Sequence, residues 1–153
     1  MKRLLIFFIL FNVSIYSLYS QNKTIKGRVI SNDMETMSFV SIMINDTIKV
    51  GQTDLNGYFK IEIPISEQKI VFIDIGLEKT PIKLEDKCDN VELVMLLAGT
   101  NDFMTFKKID RLRMKEFKKL PELHKEAFNK GLFLTDKVCY TIEFIPHAKK
   151  SSI

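Results

Sequence analysis

Residues 53–61 read TDLNGYFKI, and two different structures suit this stretch. Asp54, Asn56 and Gly57 could begin a calcium-binding loop or form the tip of a β-hairpin. An EF-hand-like loop needs a bidentate glutamate at its twelfth position, and that position counted from Asp54 is Ile65. Two oxygen-bearing side chains are too few for calcium. Asn56 and Gly57 tolerate a positive φ, and the Asp54 carboxylate can cap a turn, so the stretch predicts a hairpin turn.

Strand-like segments lie on both sides of this turn. Directly after it, Phe59, Ile61 and Ile63 alternate with Lys60 and Glu62, which is the period of a half-buried strand. Seven short segments rich in β-branched and aromatic residues are separated by polar breaks, with no helical pattern between them. They are residues 24–30, 39–45, 47–53, 58–64, 69–75, 80–84 and 91–97. This pattern predicts a mainly β domain, a seven-stranded β-sandwich over residues 22–98.

The pattern changes after Gly99, and residues 99–153 form a predicted helical appendage that ends in a strand. Six apolar residues fall within an arc of about 140° on a helical wheel. They are Phe103, Phe106, Ile109, Met114, Phe117 and Leu120. Residues 121–130 predict a second short helix, since Pro121 suits a first turn and Gly131 a C-terminal stop. Residues 137–145 return to strand character, and residues 148–153 are expected to fray.

Basic residues cover most of the opposite side of the first predicted helix. They are Lys107, Lys108, Arg111, Lys115, Lys118 and Lys119. Residues 22–101 carry a net charge of −3, whereas residues 102–153 carry +5, so the basic character belongs to the appendage. The six residues predict either a docking face for acidic lipid headgroups, acidic glycans or a protein, or a solvated face opposite a packed apolar stripe.

The first twenty residues have the order of a secretory signal peptide. Lys2 and Arg3 precede an apolar run at residues 4–11, which is too short for a comfortable membrane span. We expect cleavage after Ser20, with an uncleaved membrane anchor as the alternative. No cysteine lies near this site, which argues against a lipid anchor on an N-terminal cysteine. Export makes nucleic acid an improbable partner for the basic appendage.

Three motifs carry a resemblance to a known family. The first strand holds Gly27 and Val29 in IKGRV, the central segment GQTDLNGYFKI holds Phe59 and Ile61, and Gly76 lies in IGL. Together they resemble the carboxypeptidase-regulatory-like domain, which is common in exported proteins of Bacteroidetes-type bacteria. The sequence differs from the family pattern at two places. Residues 37–39 (MSF) replace the usual proline and glycine, and Leu77 replaces the usual aromatic residue.

The resemblance implies a transthyretin-like (prealbumin-like) β-sandwich whose fingerprint residues are Gly27, Val29, Phe59, Ile61 and Gly76. It also implies a non-catalytic role, because in relatives this module accompanies peptidases, glycan-uptake receptors and surface proteins without carrying their chemistry. The motifs cover about half of the chain, residues 24–97, and say nothing about the appendage.

No motif for catalysis, metal or cofactor binding is recognisable in the sequence. A zinc carboxypeptidase needs a His-x-x-Glu pair, but Ala127 and Lys150 stand three residues after His124 and His147. These histidines are interpreted as a helix-surface and a tail residue. The sequence also lacks a G-x-S-x-G nucleophile elbow and a phosphate-binding glycine loop. We therefore predict no catalytic residue, no metal and no cofactor.

The two cysteines of the chain are Cys88 and Cys139. An even count in an exported protein favours a disulfide, and this one would join the appendage to the β domain. Two unpaired thiols are the alternative, since the sequence does not show whether the two residues are close.

The leading hypothesis is a non-enzymatic exported accessory or protein-interaction module of the cell envelope, in the periplasm or at the outer membrane. A glycan-binding or adhesion module is the first alternative, with Tyr58 and Phe59 available for stacking on a sugar. A hydrolase with an unrecognised site is the second. The chain is far too short to be a TonB-dependent receptor with plug and barrel.

Overall fold

A computed structural model describes residues 22–100 and 103–147. The predicted signal peptide, its cleavage after Ser20 and the predicted frayed tail at residues 148–153 lie outside these ranges. The elements in chain order are β1 (Asn22–Ser31), β2 (Ser41–Ile44), β3 (Ile48–Gln52), β4 (Tyr58–Pro64), β5 (Lys69–Ile73), β6 (Thr80–Leu84), β7 (Asn90–Met95), α1 (Phe106–Phe117), α2 (Leu120–Asn129) and β8 (Tyr140–Ile142). The described chain is therefore mainly β, as predicted.

The eight strands of the described ranges form two sheets. One has the order β4-β1-β7, with β1 antiparallel to β4 and parallel to β7, and the other has the order β3-β2-β5-β6-β8. The prediction of a hairpin at residues 53–61 is wrong in one respect. The segment does form a turn, but β3 and β4 belong to different sheets, so the chain crosses from one sheet to the other there.

Apolar side chains from both sheets meet in one core. On β4, Phe59, Ile61 and Ile63 are buried and the residues between them are exposed, as the alternating pattern predicts. The ring of Phe59 packs edge-on against Phe72 of β5, with 5.5 Å between the ring centroids. Contacts of this kind join the two sheets through the core.

A second apolar cluster lies on the other face of the three-stranded sheet. Ile30 of β1 and Val94 of β7 are buried there against Leu120 and Ala127 of α2 and Phe133. This packing explains why β7 is buried on both faces and reads as a continuous apolar run. The helices are thus packed onto the β domain.

The final strand also joins the β domain. Residues 140–142 pair antiparallel with β6, which makes β8 the edge strand of the five-stranded sheet. Only three of the nine residues predicted to be extended at 137–145 form this strand.

The first helix differs from its predicted amphipathic form. Phe103 lies before α1 with a φ of 63° and is fully exposed, and Phe106 is 65% exposed. Ile109 is the only buried residue of α1, while Met114 and Phe117 are partly buried. Leu120 is buried, but it begins α2, because the chain turns at residues 118–119. No helix in the described ranges is long and apolar enough to cross a membrane.

Candidate functional site

The carboxylate of Asp54 forms its hydrogen bonds within the turn at residues 53–57. Asp54 Oδ1 accepts hydrogen bonds from the backbone N–H groups of Asn56 and Tyr58, each at 2.8 Å. Gly57 has a φ of 78°, and a Cβ there would lie 2.5 Å from the carbonyl oxygen of Val29. The carboxylate is therefore part of the turn. No group of three or more metal-ligating side chains occurs within residues 22–100 and 103–147.

Three of the five fingerprint residues lie in the apolar core. Val29, Phe59 and Ile61 are buried in the core. Gly27 pairs with Val91 of β7, and a Cβ at Gly27 would lie only 1.8 Å from the Val91 carbonyl oxygen. Gly76 instead occupies an exposed turn with a φ of 82°, and nothing lies within 4 Å of its would-be Cβ. It is a turn residue and not a core residue.

Cys88 and Cys139 form a disulfide, with 5.4 Å between their Cα atoms. Cys88 lies just before β7, in the three-stranded sheet, and Cys139 lies just before β8, at the edge of the other sheet. The bond therefore links the two sheets at the end of the core.

All six residues of the predicted basic face are exposed. Lys119 forms an ion pair with Glu116, 2.8 Å from Nζ to Oε1. Within the described ranges, Lys107, Lys108, Arg111, Lys115 and Lys118 have no carboxylate at ion-pair distance. The basic face is an accessible array of cations along α1 and its C-terminal end.

Sequence reasoning missed the partly buried Arg113, which lies on the inner side of α1. Its guanidinium contacts the carboxylate of Glu78 at 2.5 Å and that of Asp110 at 3.1 Å, and it donates to the backbone carbonyl of Ile145. The same guanidinium lies over the Phe144 ring, 5.1 Å from its centroid. Arg113 thus fastens α1 to the β domain and is not part of the basic face.

Sequence reasoning also missed the buried carboxylate of Glu92 on β7. It accepts hydrogen bonds from the backbone N–H groups of Leu134 (2.6 Å) and Thr135 (3.0 Å), and the Thr135 hydroxyl lies 3.0 Å away. Tyr140 donates its hydroxyl to the Glu92 backbone carbonyl at 2.5 Å. Burial, with a smaller effect of the Glu92 charge, raises the pKa of the Tyr140 hydroxyl. The sequence did contain a signal for this residue, since Glu92 is the only acidic residue in the otherwise apolar segment VELVMLL, residues 91–97.

A cavity of about 390 Å³ lies between the helices and the strands β7 and β8. Val94, Phe117, Leu120 and Ile142 supply apolar walls, and His124 and Lys118 also line it. The interpretation of His124 as a surface residue is wrong, since the residue is 4% exposed. Its lining is mostly apolar.

One ring nitrogen of His124 is bonded and the other is not. Nε2 lies 3.1 Å from the backbone carbonyl oxygen of Thr135. A carbonyl only accepts hydrogen bonds, so Nε2 carries a proton and, in the neutral ring, Nδ1 carries the lone pair. Nδ1 is buried and has no hydrogen-bond partner among the described residues. His147, in contrast, is exposed near the end of the described chain, where its backbone N–H donates to Asp110.

Exposed aromatic rings border a shallow depression at the turn end of β4. Phe39 and Tyr58 are each about half exposed there, next to Gln52, Asp54 and Lys60. Phe39 has a φ of 62°, an uncommon value for a bulky residue. Phe59 also lines this depression, but the residue is only 6% exposed, which leaves little of its ring for stacking on a sugar.

No family model matches the chain. No curated protein matches it, and neither does any solved structure.

Proposed function

We propose that the protein is an exported, non-enzymatic accessory module that binds an acidic protein partner in the bacterial cell envelope. The basic face carries the proposal: it has six exposed cations, four on α1 and two in the turn that follows it, and only Lys119 has an ion-pair partner in the described ranges. Where positive and negative charges are mixed on a surface, their electric fields act only at short range. A patch of positive charges alone attracts a negatively charged partner. Export rests on the signal-peptide pattern of residues 1–20.

We further propose that residues 22–98 form the transthyretin-like sandwich of a carboxypeptidase-regulatory-like domain. Val29, Phe59 and Ile61 support this assignment because they are buried in the core, and Gly27 supports it because a side chain there would not fit against β7. The β8 strand and the disulfide also tie the C-terminal third to this domain, so the basic helix is held in a defined position on its surface. A rigid presentation reduces the entropy lost on binding a partner.

The hydrogen-bonding state of three polar residues at the junction of helices and sheet favours binding over catalysis. The carboxylate of Glu92 is occupied by backbone amides, and the hydroxyl of Tyr140 donates to a carbonyl. Arg113 is engaged by Glu78 and Asp110. These groups stabilise the junction between helices and sheet, and acid–base catalysis needs groups free to exchange protons with a substrate.

The test compares which proteins the mature protein captures from an envelope fraction with and without three substitutions on α1. The helix variant carries Lys107→Glu, Arg111→Glu and Lys115→Glu. The matched control reverses three exposed lysines on strands, Lys26, Lys60 and Lys83. We expect the wild type and the control to retain a salt-sensitive acidic partner that the helix variant loses. Equal capture by both variants would refute the basic face as the binding surface. Retention by protein-free anionic vesicles would instead assign the face to the membrane.

The proposed export has its own test. Mass spectrometry of the protein from periplasmic and outer-membrane fractions should show an N-terminus close to Gln21. Full-length protein held in the inner membrane would indicate the anchor alternative.

Glycan binding is the second candidate function, favoured by the exposed rings of Phe39 and Tyr58. Aromatic faces next to amide, carboxylate and ammonium groups suit the apolar faces and hydroxyls of a sugar. A polysaccharide panel is the test, with Tyr58→Ala compared against Leu55→Ala in the adjacent exposed turn. A saturable signal lost only with Tyr58→Ala supports this function, and absence of any saturable signal refutes it.

A further inference from the structure

Two phenylalanine side chains at the N-terminal end of α1 are exposed, and we call them the aromatic pair. Phe103, just before the helix, is fully exposed, and Phe106, the first residue of the helix, is 65% exposed. Neither ring makes an aromatic or cation–π contact within the described ranges. Phe103 also has a φ of 63°, which is strained for a bulky residue, and strain of this kind clusters at functional sites.

Phe106 lies on the side of α1 that packs against the β domain. It precedes Arg113 by about two turns and Phe117 by about three turns, so the three side chains share one side of the helix. Arg113 contacts Glu78 of the β domain, and Phe117 packs against Phe144 with 5.4 Å between the ring centroids. Phe106 has no such partner in the described ranges. The apolar side of α1 therefore continues past the part that the β domain covers.

Cations of the basic face border the aromatic pair. Lys107 and Lys108 directly follow Phe106, and Arg111 lies about one turn further along α1. All three are exposed and have no carboxylate at ion-pair distance in the described ranges. Protein interfaces are enriched in aromatic residues and arginine, and a few desolvated anchor residues dominate the binding energy. A partner that fits this surface carries an apolar side chain next to carboxylates.

Charge and apolar area argue against three other occupants of the aromatic pair. Residues 148–153 carry two lysines, and the appendage of a second copy is also basic, so the cations of α1 repel both. Membrane binding by an amphipathic helix increases with the apolar area that the helix buries in lipid. On α1, Ile109 is buried and Phe117 is packed against Phe144, so most of the apolar stripe is unavailable to lipid. A small aromatic anchor is enough for a protein interface.

We infer that the acidic partner places an apolar side chain against Phe103 and Phe106 while its carboxylates contact the basic face. The inference rests on the proposed function and adds a determinant of specificity to it. The cations attract the partner and raise its association rate, whereas burial of the aromatic pair slows its dissociation. An acidic protein without an apolar residue at this point binds more weakly.

The experiment compares two synthetic acidic peptides of equal length and equal net charge, each titrated by calorimetry into the oxidised mature protein. One peptide carries two phenylalanines among its glutamates, and the other carries two serines at the same positions. We expect the wild type to bind the phenylalanine peptide at least about tenfold more tightly than the serine peptide. Equal affinities for the two peptides would overturn the inference.

Three variants separate the aromatic pair from the basic face. Phe103→Ala/Phe106→Ala should bind both peptides about as weakly as the wild type binds the serine peptide. The control Phe128→Ala/Leu134→Ala truncates exposed side chains on α2 and in the loop after it, and it should keep the preference for phenylalanine. A preference that survives in Phe103→Ala/Phe106→Ala would overturn the inference. The helix variant with three glutamates should lose both peptides, and undiminished binding by it would instead overturn the proposed function.

Two further measurements test a second copy and a membrane as occupants. Analytical ultracentrifugation of the mature protein should show the same oligomeric state for the wild type and Phe103→Ala/Phe106→Ala. Vesicles of phosphatidylglycerol should likewise retain the two proteins equally. Self-association or vesicle binding that is lost on removal of the aromatic pair would overturn the inference, since it would assign the pair to a second copy or to lipid.

Discussion

Replacement of Glu92 by glutamine tests how the C-terminal third is attached to the β domain. Glu92 is 4% exposed, and its carboxylate accepts hydrogen bonds from the backbone N–H groups of Leu134 and Thr135 at 2.6 and 3.0 Å. Glutamine has nearly the same shape, but it is neutral and carries an NH₂ group in place of one oxygen. That NH₂ would face an N–H donor, so one backbone amide loses its partner in a buried position.

The size of the effect follows from the bonds that are lost. A hydrogen bond to a charged group contributes about 1.5–3 kcal/mol, and a buried donor left unpaired costs about 1–3 kcal/mol. Part of this loss is offset, because burying the neutral glutamine avoids the free-energy cost of removing a charge from water. We expect Glu92→Gln to lower the free energy of unfolding by about 2–4 kcal/mol.

Urea unfolding followed by circular dichroism measures this loss, with hydrogen exchange at the Leu134 and Thr135 amides as a local readout. The matched control is Glu62→Gln, at an exposed position on β4 of the same sheet. Surface substitutions usually stay within about 0.5 kcal/mol, and we expect this of the control. A Glu92→Gln protein as stable as the control, with unchanged protection of both amides, would refute the reasoning.

Three further predictions concern the same framework. The Cys88→Ser/Cys139→Ser protein should lose about 4 kcal/mol of unfolding free energy, since the bond joins residues 51 apart and constrains the unfolded chain. Gly57→Ala should cost at least about 1 kcal/mol more than Gly76→Ala, because both positions have a positive φ but only Gly57 has a carbonyl oxygen 2.5 Å from the added Cβ. The raised pKa of Tyr140 means that the unfolded chain ionises first, so its stability contribution is complete below about pH 10 and is lost as the pH rises further. Tyr140→Phe should therefore show a smaller alkaline loss of stability.

Each of these predictions has an outcome that contradicts it. An unchanged melting temperature in the double serine variant would argue that the disulfide constrains nothing. Equal stabilities of Gly57→Ala and Gly76→Ala would mean that the backbone moves away without cost. Parallel alkaline stability curves for wild type and Tyr140→Phe, measured by urea unfolding between neutral pH and pH 11, would show that Tyr140 ionises equally in both states.

Local patterns were enough to predict most of the secondary structure. Strand character depends on residue type and on alternation over a few positions, so Phe59, Ile61 and Ile63 could be placed on the buried face of a strand. The turn chemistry of Asp54, Asn56 and Gly57 is equally local. The row of exposed cations on and just after the first helix also follows from sequence spacing alone.

Only the tertiary structure decided how these elements pair and what their polar residues do. The turn at residues 53–57 suits a hairpin, yet β3 and β4 lie in different sheets, because strand pairing depends on long-range packing of apolar faces. His124 was assigned to a helix surface, but the fold of α2 onto β7 buries it beside a cavity. Glu92 looked like one more strand acid until the chain 42 residues later supplied its amide partners. Burial and hydrogen bonding between distant segments are properties of the assembled core, and no local pattern contains them.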